Sequence, residues 1–359
     1  MSDQKQKHKP DISSAHDDRG SRRGFLRGLG AGGLAATMSA VPVASASAKD
    51  GRGGAHQPYR HRPRRPVPSN RLHAFANPFD DMPIEDSARI VAAAGFGGID
   101  MTVRKGDLIE PEQVEDALPR AVEVCEAAGL STEIITTQII DPRDPLTEKI
   151  LRTAGRQGIT YFRLGTFSYN NYASVREAQR EFKPMLKDMM QMARQFGLRC
   201  ALQNHAGNGL SSAVWDLVAL IEDLDPHYIG FHYDSRHAMV EGTGCWRSGY
   251  DVASPYIHVL IPKDFRWTVN AAGRASPSNQ PVGGGIVDFD DFFKRARAKN
   301  IRAPLDVHFP YGIFNNGSWR EGSTNRPSAA GEQALIAAMR ADLEALRPHL
   351  TTYGYGWTV

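Results

Sequence analysis

From Leu72 onward the chain alternates short apolar runs with amphipathic helical stretches, and this alternation limits the fold more than any other feature. The runs are 72–76 (LHAFA), 98–103 (GIDMTV), 131–137 (STEIITT), 160–164 (TYFRL), 199–204 (RCALQN), 229–234 (IGFHYD), 256–261 (YIHVLI) and 304–308 (PLDVH). Between and after them, 83–94, 112–128, 145–157, 174–196, 211–223, 288–299 and 328–346 carry apolar residues at helical spacing. In 174–196, Phe182, Met185, Leu186, Met189, Ala193 and Phe196 share one face, which reads as core packing. Only the sixth unit, 235–255, lacks a strong helix and reads as a long Gly/Trp-rich loop with a short helix. Strict βα alternation implies parallel strands, and eight repeats favour a closed barrel over an open sheet. The expected fold is therefore α/β, one (β/α)8 TIM barrel over residues 71–350, with a C-terminal tail over 351–359. That tail, with Tyr353-Gly354-Tyr355-Gly356-Trp357, reads either as docking on the barrel or a neighbouring subunit or as a free end. No GxGxxG follows the first run and no GxxxxGK[ST] occurs, which disfavours nucleotide-binding α/β folds.

Charge divides the chain in two. Residues 1–70 hold 13 of the 43 Lys and Arg and 5 of the 40 Asp and Glu, so the barrel segment is mildly acidic. An acidic body argues against a nucleic-acid-binding core. Within the basic part, Ser21-Arg22-Arg23-Gly24-Phe25-Leu26-Arg27 is a twin-arginine pattern. It precedes a weakly apolar Gly/Ala-rich stretch, Gly28 to Val43, and a small-x-small cleavage site at Ala46-Ser47-Ala48. Residues 1–48 read as a twin-arginine export signal, in preference to a basic tail with an Ala-rich linker. The expected location is periplasmic or secreted, with the twin-arginine export machinery as a partner and no stable membrane span. Residues 49–70 read as a solvated Pro/Arg/Gly-rich linker. Cys125, Cys200 and Cys245 show neither a disulfide framework nor metal-like spacing, and the first two fall in apolar patterns expected to bury them.

A barrel buries its strands on both sides, so ionisable groups inside the runs need a reason. Every run after the first carries them. The second has Asp100, Thr102 and Arg104 on one face by the period of two. The third carries Glu133, the fourth Arg163, and the fifth ends Gln203-Asn204-His205. The sixth runs His232-Tyr233-Asp234-Ser235-Arg236-His237, the seventh ends Pro262-Lys263-Asp264, and the eighth holds Asp306 and His308. Singly, each has a structural alternative: Asp100 or Glu133 paired with Arg104 or Arg163, His232 as a core histidine, Asp264 capping the next turn. Jointly they call for a cleft at the strand C-terminal ends, where barrel sites lie. Carboxylates with imidazoles suit a hard or borderline divalent ion such as Mn²⁺, Mg²⁺, Co²⁺ or Zn²⁺.

Motif order over 72–345 resembles the xylose isomerase-like TIM barrels, the sugar phosphate isomerase/epimerase family, and within it the exported bacterial branch. The segments that carry the resemblance are Gly98-Ile99-Asp100-Met101-Thr102-Val103-Arg104, Ile134-Ile135-Thr136-Thr137, Tyr161-Phe162-Arg163-Leu164-Gly165 and Gln203-Asn204-His205-Ala206-Gly207. They continue with Asp234 to Gly242, Lys263-Asp264-Phe265-Arg266-Trp267, and Pro281 to Asp288 around Gly283-Gly284-Gly285. The resemblance implies one divalent metal held by a Glu, an Asp, a His and a Glu on strands five to eight, and proton abstraction beside a sugar carbonyl through an enediolate. At those positions this chain has Gln203, Asp234, Ile261 and Asp306. Either the metal site is rebuilt from Gln203, Asp234, Asp306 and His308, or no metal is held.

The expected catalytic residues are Lys263, to polarise a carbonyl or hold an enolate, His237 and Glu133, with His205 as a further candidate, to move protons, and Arg163, to orient the substrate. Arg104, Asn204, His205, Trp246 and Trp267 are expected to bind it, the tryptophans by stacking on a pyranose face. The Gly283-Gly284-Gly285 loop reads as approaching a ligand or as a flexible lid. Three functions follow: an isomerase or epimerase of unphosphorylated sugars, a lyase or hydratase on 3-keto-glycosides or inososes by the same enolate chemistry, or a non-catalytic carbohydrate-binding barrel. A DNA-repair endonuclease on the related barrel would need a basic groove that this acidic body lacks. The expected partner is a small carbohydrate, and an oligomer is compatible with the chain.

Overall fold

The computed structural model of the protein describes residues 72–79, 82–309 and 329–355. The expected signal, the linker and residues 356–359 lie outside them. Eight parallel strands close into a barrel: β1 (Leu72–Phe75), β2 (Gly98–Val103), β3 (Ser131–Thr137), β4 (Tyr161–Arg163), β5 (Arg199–Gln203), β6 (Ile229–Asp234), β7 (Ile257–Ile261) and, last in the chain, β10 (Leu305–Val307), which pairs with both β7 and β1. Helices α1 (Ile84–Ala94), α2 (Val114–Ala127), α3 (Pro145–Arg156), α4 (Val175–Phe196), α5 (Val214–Ile221), α8 (Phe289–Ala298) and α9 (Ala329–Tyr353) follow their strands. Each expected run is a strand and each expected helical stretch is a helix.

The alternation works because each strand has two buried faces. Ile99, Met101, Ile135, Phe162, Leu202, Phe231, Tyr233 and Leu260 pack outward into one continuous core beneath the helices. Ile134, Tyr161, Val259 and Ile261 form a separate buried cluster. Apolar residues on both faces give the near-continuous apolar runs of a parallel sheet. Cys125 and Cys200 are buried and free, as expected, and Cys245 is exposed and free. No helix among the described residues is long and apolar enough to cross a membrane.

Three segments depart from the sequence reading. The sixth unit is two helices, α6 (Ser235–Glu241) and α7 (Trp246–Ala253), where a long loop with one short helix was expected. Asp234 starts α6 by accepting a hydrogen bond from the His237 amide at 3.0 Å, an N-cap that satisfies one of the helix's otherwise unpaired first-turn amides. Between β7 and α8 stands an antiparallel hairpin, β8 (Asp264–Val269) with β9 (Ala275–Gln280). Residues 351–353 continue α9, and Tyr355 docks, its hydroxyl donating to the Ile301 carbonyl at 2.9 Å and its ring lying 5.5 Å from Phe293. The tail boundary at 350/351 therefore falls inside a helix.

Candidate functional site

The strand C-terminal ends open into a cavity of about 700 Å³. Phe75, Arg104, Arg163, Gln203, His205, Lys263 and His308 line it together with backbone and hydroxyl groups of the β4 and β5 loops. This is the end at which barrels carry their sites. Of the expected polar residues, Arg104, Arg163, Gln203, His205, Lys263 and His308 meet here.

Lys263 follows β7. Its backbone is clamped by Ser235, whose hydroxyl donates to the Lys263 carbonyl at 2.8 Å and accepts from its amide at 3.0 Å. The ammonium, by contrast, makes no hydrogen bond or ion pair among the described residues. Burial holds its pKa below the ordinary lysine value, against the pull of Asp234. His205 shares the same wall. Its Nδ1 lies 3.1 Å from the Ala206 carbonyl, and a carbonyl only accepts, so Nδ1 carries the proton and Nε2 keeps a lone pair. One face of the ring stacks on His237 at 4.0 Å.

Arg163 donates from Nη1 to Gln203 Oε1 at 2.5 Å, and Gln203 Nε2 donates to Asp234 Oδ2 at 2.8 Å. The amide is thus oriented by a cation at one end and a carboxylate at the other. Phe75 is a platform that the sequence reading missed. The Arg163 guanidinium lies 5.1 Å above its ring, the Arg104 guanidinium 5.8 Å away, and the His308 ring stacks on it at 4.2 Å. Its signal was its place at the end of the first run. Arg104 also bonds Asn77 Oδ1 at 2.8 Å and pairs with Asp107, which fixes it at the rim.

Asp100, Asp306 and His308 each bring a ligand atom within 4.8 Å of the others, all buried. Thr136 donates to Asp100 Oδ2 at 2.7 Å, and His308 Nε2 lies 2.8 Å from Asp306 Oδ2. Asp100 Oδ1 and Asp306 Oδ1 are buried with no hydrogen-bond partner. Burial raises the Asp100 pKa to about 6, with Arg163 opposing, and raises Asp306 well above the usual carboxylate range, with the Asp100 charge adding to it. Two unsatisfied buried oxygens and an imidazole are a donor set for a hard or borderline divalent cation.

Of the ligand positions implied by the resemblance, Ile261 has no ligating atom, and Gln203 and Asp234 bond each other. Ile261 is fully buried in the apolar cluster. Gln203 has both ends engaged, and Asp234 uses Oδ1 to cap α6 and Oδ2 to hold Gln203. Asp306 and His308 of the expected metal set gather with Asp100, while Gln203 and Asp234 form a separate bonded pair. Asp100 was visible in the sequence as one of the strand-end ionisable residues, but not as a metal ligand.

Five other expected site residues lie elsewhere or are engaged. Glu133 sits one residue before the first β3–β4 register pair, Ile134 with Tyr161, and pairs with buried His73 at 3.5 Å, away from the cavity. His237 accepts at Nδ1 from the Ala206 amide at 3.1 Å and faces Arg236 Nη1 at 2.6 Å, with Nε2 3.7 Å from Asp234 Oδ2, so it has no free lone pair for a substrate proton. Asn204 is fully buried and bonds the Asp234 backbone at both amide and carbonyl, 2.7 and 2.9 Å, which joins β5 to β6 instead of binding a ligand. Trp246 is buried on α7 with Tyr250, Arg247 and Arg295 around its ring, outside the cavity. Trp267 is exposed on the hairpin and does not line the large cavity.

Asp264 is the turn cap that the structural alternative describes. Its carboxylate accepts from the amides of Phe265, Gly283, Gly285 and Val287 at 2.8–3.0 Å. The glycine loop is therefore tied down, not a free lid. Gly283, at φ 81°, and Gly285, whose Cβ would strike the Asp264 carboxylate, are required for that approach.

A closed parallel barrel with ionisable side chains gathered at its C-terminal mouth defines an enzyme-type (β/α)8 protein. The xylose isomerase-like TIM barrel family profile matches residues 88–325, more than half of the sequence, and the chain belongs to that family. Among solved structures it is similar to D-allulose 3-epimerase from Methylomonas sp., 17% identical, TM-score 0.55, covering 78% of this chain and 97% of that one. It is similar as well to 3-keto-D-glucoside 4-epimerase from E. coli, 15% identical, TM-score 0.55, covering 78% and 99%. A probable 3-DHS dehydratase from Bacillus anthracis is 14% identical, TM-score 0.55, covering 75% and 97%. At these identities the likeness establishes the fold. No curated protein matches the sequence.

Proposed function

We propose that the protein is a sugar isomerase/epimerase-like enzyme that moves a proton at the carbon next to a carbonyl of an unphosphorylated sugar or keto-sugar. The observation that carries this reading is the pair on one cavity wall, the partnerless Lys263 ammonium beside the free Nε2 of His205. Lys263 donates to the substrate carbonyl oxygen and stabilises the charge that grows there as the enolate forms. His205 Nε2 takes the proton from the neighbouring carbon, and the C–H electron pair becomes the enolate double bond. Return of the proton to the other face gives an epimer, and return to the other enediolate carbon gives an isomer. Partial burial lowers the His205 pKa against the pull of Asp234, so the ring is neutral and able to accept at pH 7. Arg163 and Arg104, braced on Phe75, orient substrate oxygens. A divalent cation, Mn²⁺, Mg²⁺, Co²⁺ or Zn²⁺, held by Asp100, Asp306 and His308, would supply Lewis-acid polarisation.

The twin-arginine pattern supports action outside the cytoplasm, with residues 1–48 as the address, 49–70 as a tether and the barrel beyond. Incubation with ketohexoses, 3-keto-glycosides and inososes in deuterated water tests the reaction. One deuteron entering beside the carbonyl is the expected result. No exchange across the panel contradicts the reading, and an unsaturated product would assign the same proton transfer to a lyase.

A further inference from the structure

A second cavity of about 500 Å³ adjoins the first, and His205 and Lys263 stand on the wall common to both. The reacting pair therefore faces two chambers. The far side of the smaller one is formed by the hairpin, through Pro277 and Asn279. Residues opposite each other in an antiparallel pair point to the same face. Trp267 lies opposite Pro277, and Phe265 opposite Asn279. Phe265 is fully buried and supports the Trp267 ring edge-on at 5.7 Å, and the indole, 41% exposed, stands on the strand next to the chamber's wall without lining it. On the other side Glu241, at the end of α6, anchors the Gly207 amide at 3.1 Å while its carboxylate stays exposed to the chamber.

A proline, an amide and a carboxylate on the wall, with an exposed indole at the hairpin rim, match the two surfaces of a sugar ring. The apolar C–H face lies against an aromatic plane, and the hydroxyl edge meets mixed donors and acceptors. A pocket of about 300–1,000 Å³ suffices for one drug-sized ligand, so a single hexose leaves the smaller chamber unused. We infer that the smaller chamber is a subsite for a second sugar ring, and that the substrate is a glycoside whose reacting ring lies in the larger chamber with the glycosidic link beside His205 and Lys263. The assignment of the reacting ring rests on the reading given under the proposed function.

Calorimetric titration of the full chain with matched pairs tests this: glucose and methyl glucoside against cellobiose and maltose, galactose against lactose. At least one disaccharide is expected to bind about tenfold tighter than its monosaccharide, the scale of one aromatic contact. Trp267→Ala and Glu241→Gln are each expected to bring that ratio towards one. Glutamine keeps the oxygen that holds Gly207, so the second variant retains the loop. Affinities within about threefold across all pairs, a ratio unchanged in both variants, or no disaccharide binding overturns the inference. Proton exchange without a disaccharide preference removes the subsite alone. A disaccharide preference without exchange leaves a glycan-binding barrel and removes the proposed reaction.

Discussion

The proposed chemistry turns on Lys263, whose cation faces the cavity with nothing among the described residues to neutralise it within bonding distance. Lys263→Met keeps the length of the side chain and removes the charge. Loss of a charge-stabilising donor costs about 10²–10³ in rate, and the deuterium-exchange rate of this variant is expected to fall by that factor with the far-UV circular dichroism unchanged. Exchange at the wild-type rate would assign the cation a structural part. Lys263, Arg163, Arg104, His205 and His308 were legible in the sequence because a polar group at the end of a doubly buried strand has few reasons to be there. Their partners were not legible. Nothing in the order of residues says that Asn204 reaches across to the β6 backbone, that Glu133 turns to His73, or that both ends of Gln203 are engaged. Nor does it say that Asp100, named in the sequence as a strand-end residue, lies against Asp306 from a strand far away in the chain.

At the scale of elements, one buried carboxylate organises the whole β7 side of the mouth. Asp264 gathers four backbone amides and so fixes the hairpin root and the glycine loop together. Asp264→Asn puts an NH2 group against N–H donors. Leaving such groups unsatisfied costs about 1–3 kcal/mol, which urea unfolding would measure, and amide exchange at 283–287 is expected to speed up more than that of the barrel strands. Equal protection of the loop in both proteins would contradict the anchoring role. The barrel strands and the helices that follow them were legible through their periods of two and 3.6. The hairpin was not, since β8 exposes Arg266, Trp267, Thr268 and Val269 in succession and β9 contains Pro277, so neither strand shows alternation. Helix α6 escaped notice because it has only seven residues and owes its start to the Asp234 side chain.

At the scale of the molecule, α9 closes the barrel and couples it to the mouth. Asp342 on α9 accepts from the Val282 amide at 2.9 Å, and burial raises its pKa from 3.8 to about 7. Between those values the folded chain keeps a proton that the unfolded chain releases. The stability from this group is therefore full below about pH 4, declines as pH rises, and is lost above about pH 7. Asp342→Asn keeps the accepting oxygen and removes the titration. Its melting temperature is expected to fall less than the wild type's from pH 5 to pH 8, and parallel curves would contradict the assignment. The family assignment accounts for the architecture, while the emptied ligand positions at Gln203 and Ile261 and the gathered group at Asp100, Asp306 and His308 set this mouth apart from the pattern the resemblance implies.

The central claim is proton transfer next to a carbonyl at the His205–Lys263 wall. Its most direct test is mass spectrometry of keto-sugars recovered from deuterated water, with wild-type protein and Lys263→Met in parallel. A single mass unit gained beside the carbonyl with the wild type, and about 10²-fold more slowly with the variant, is the predicted result. No mass gain on any keto-sugar, or equal gain with both proteins, would contradict it.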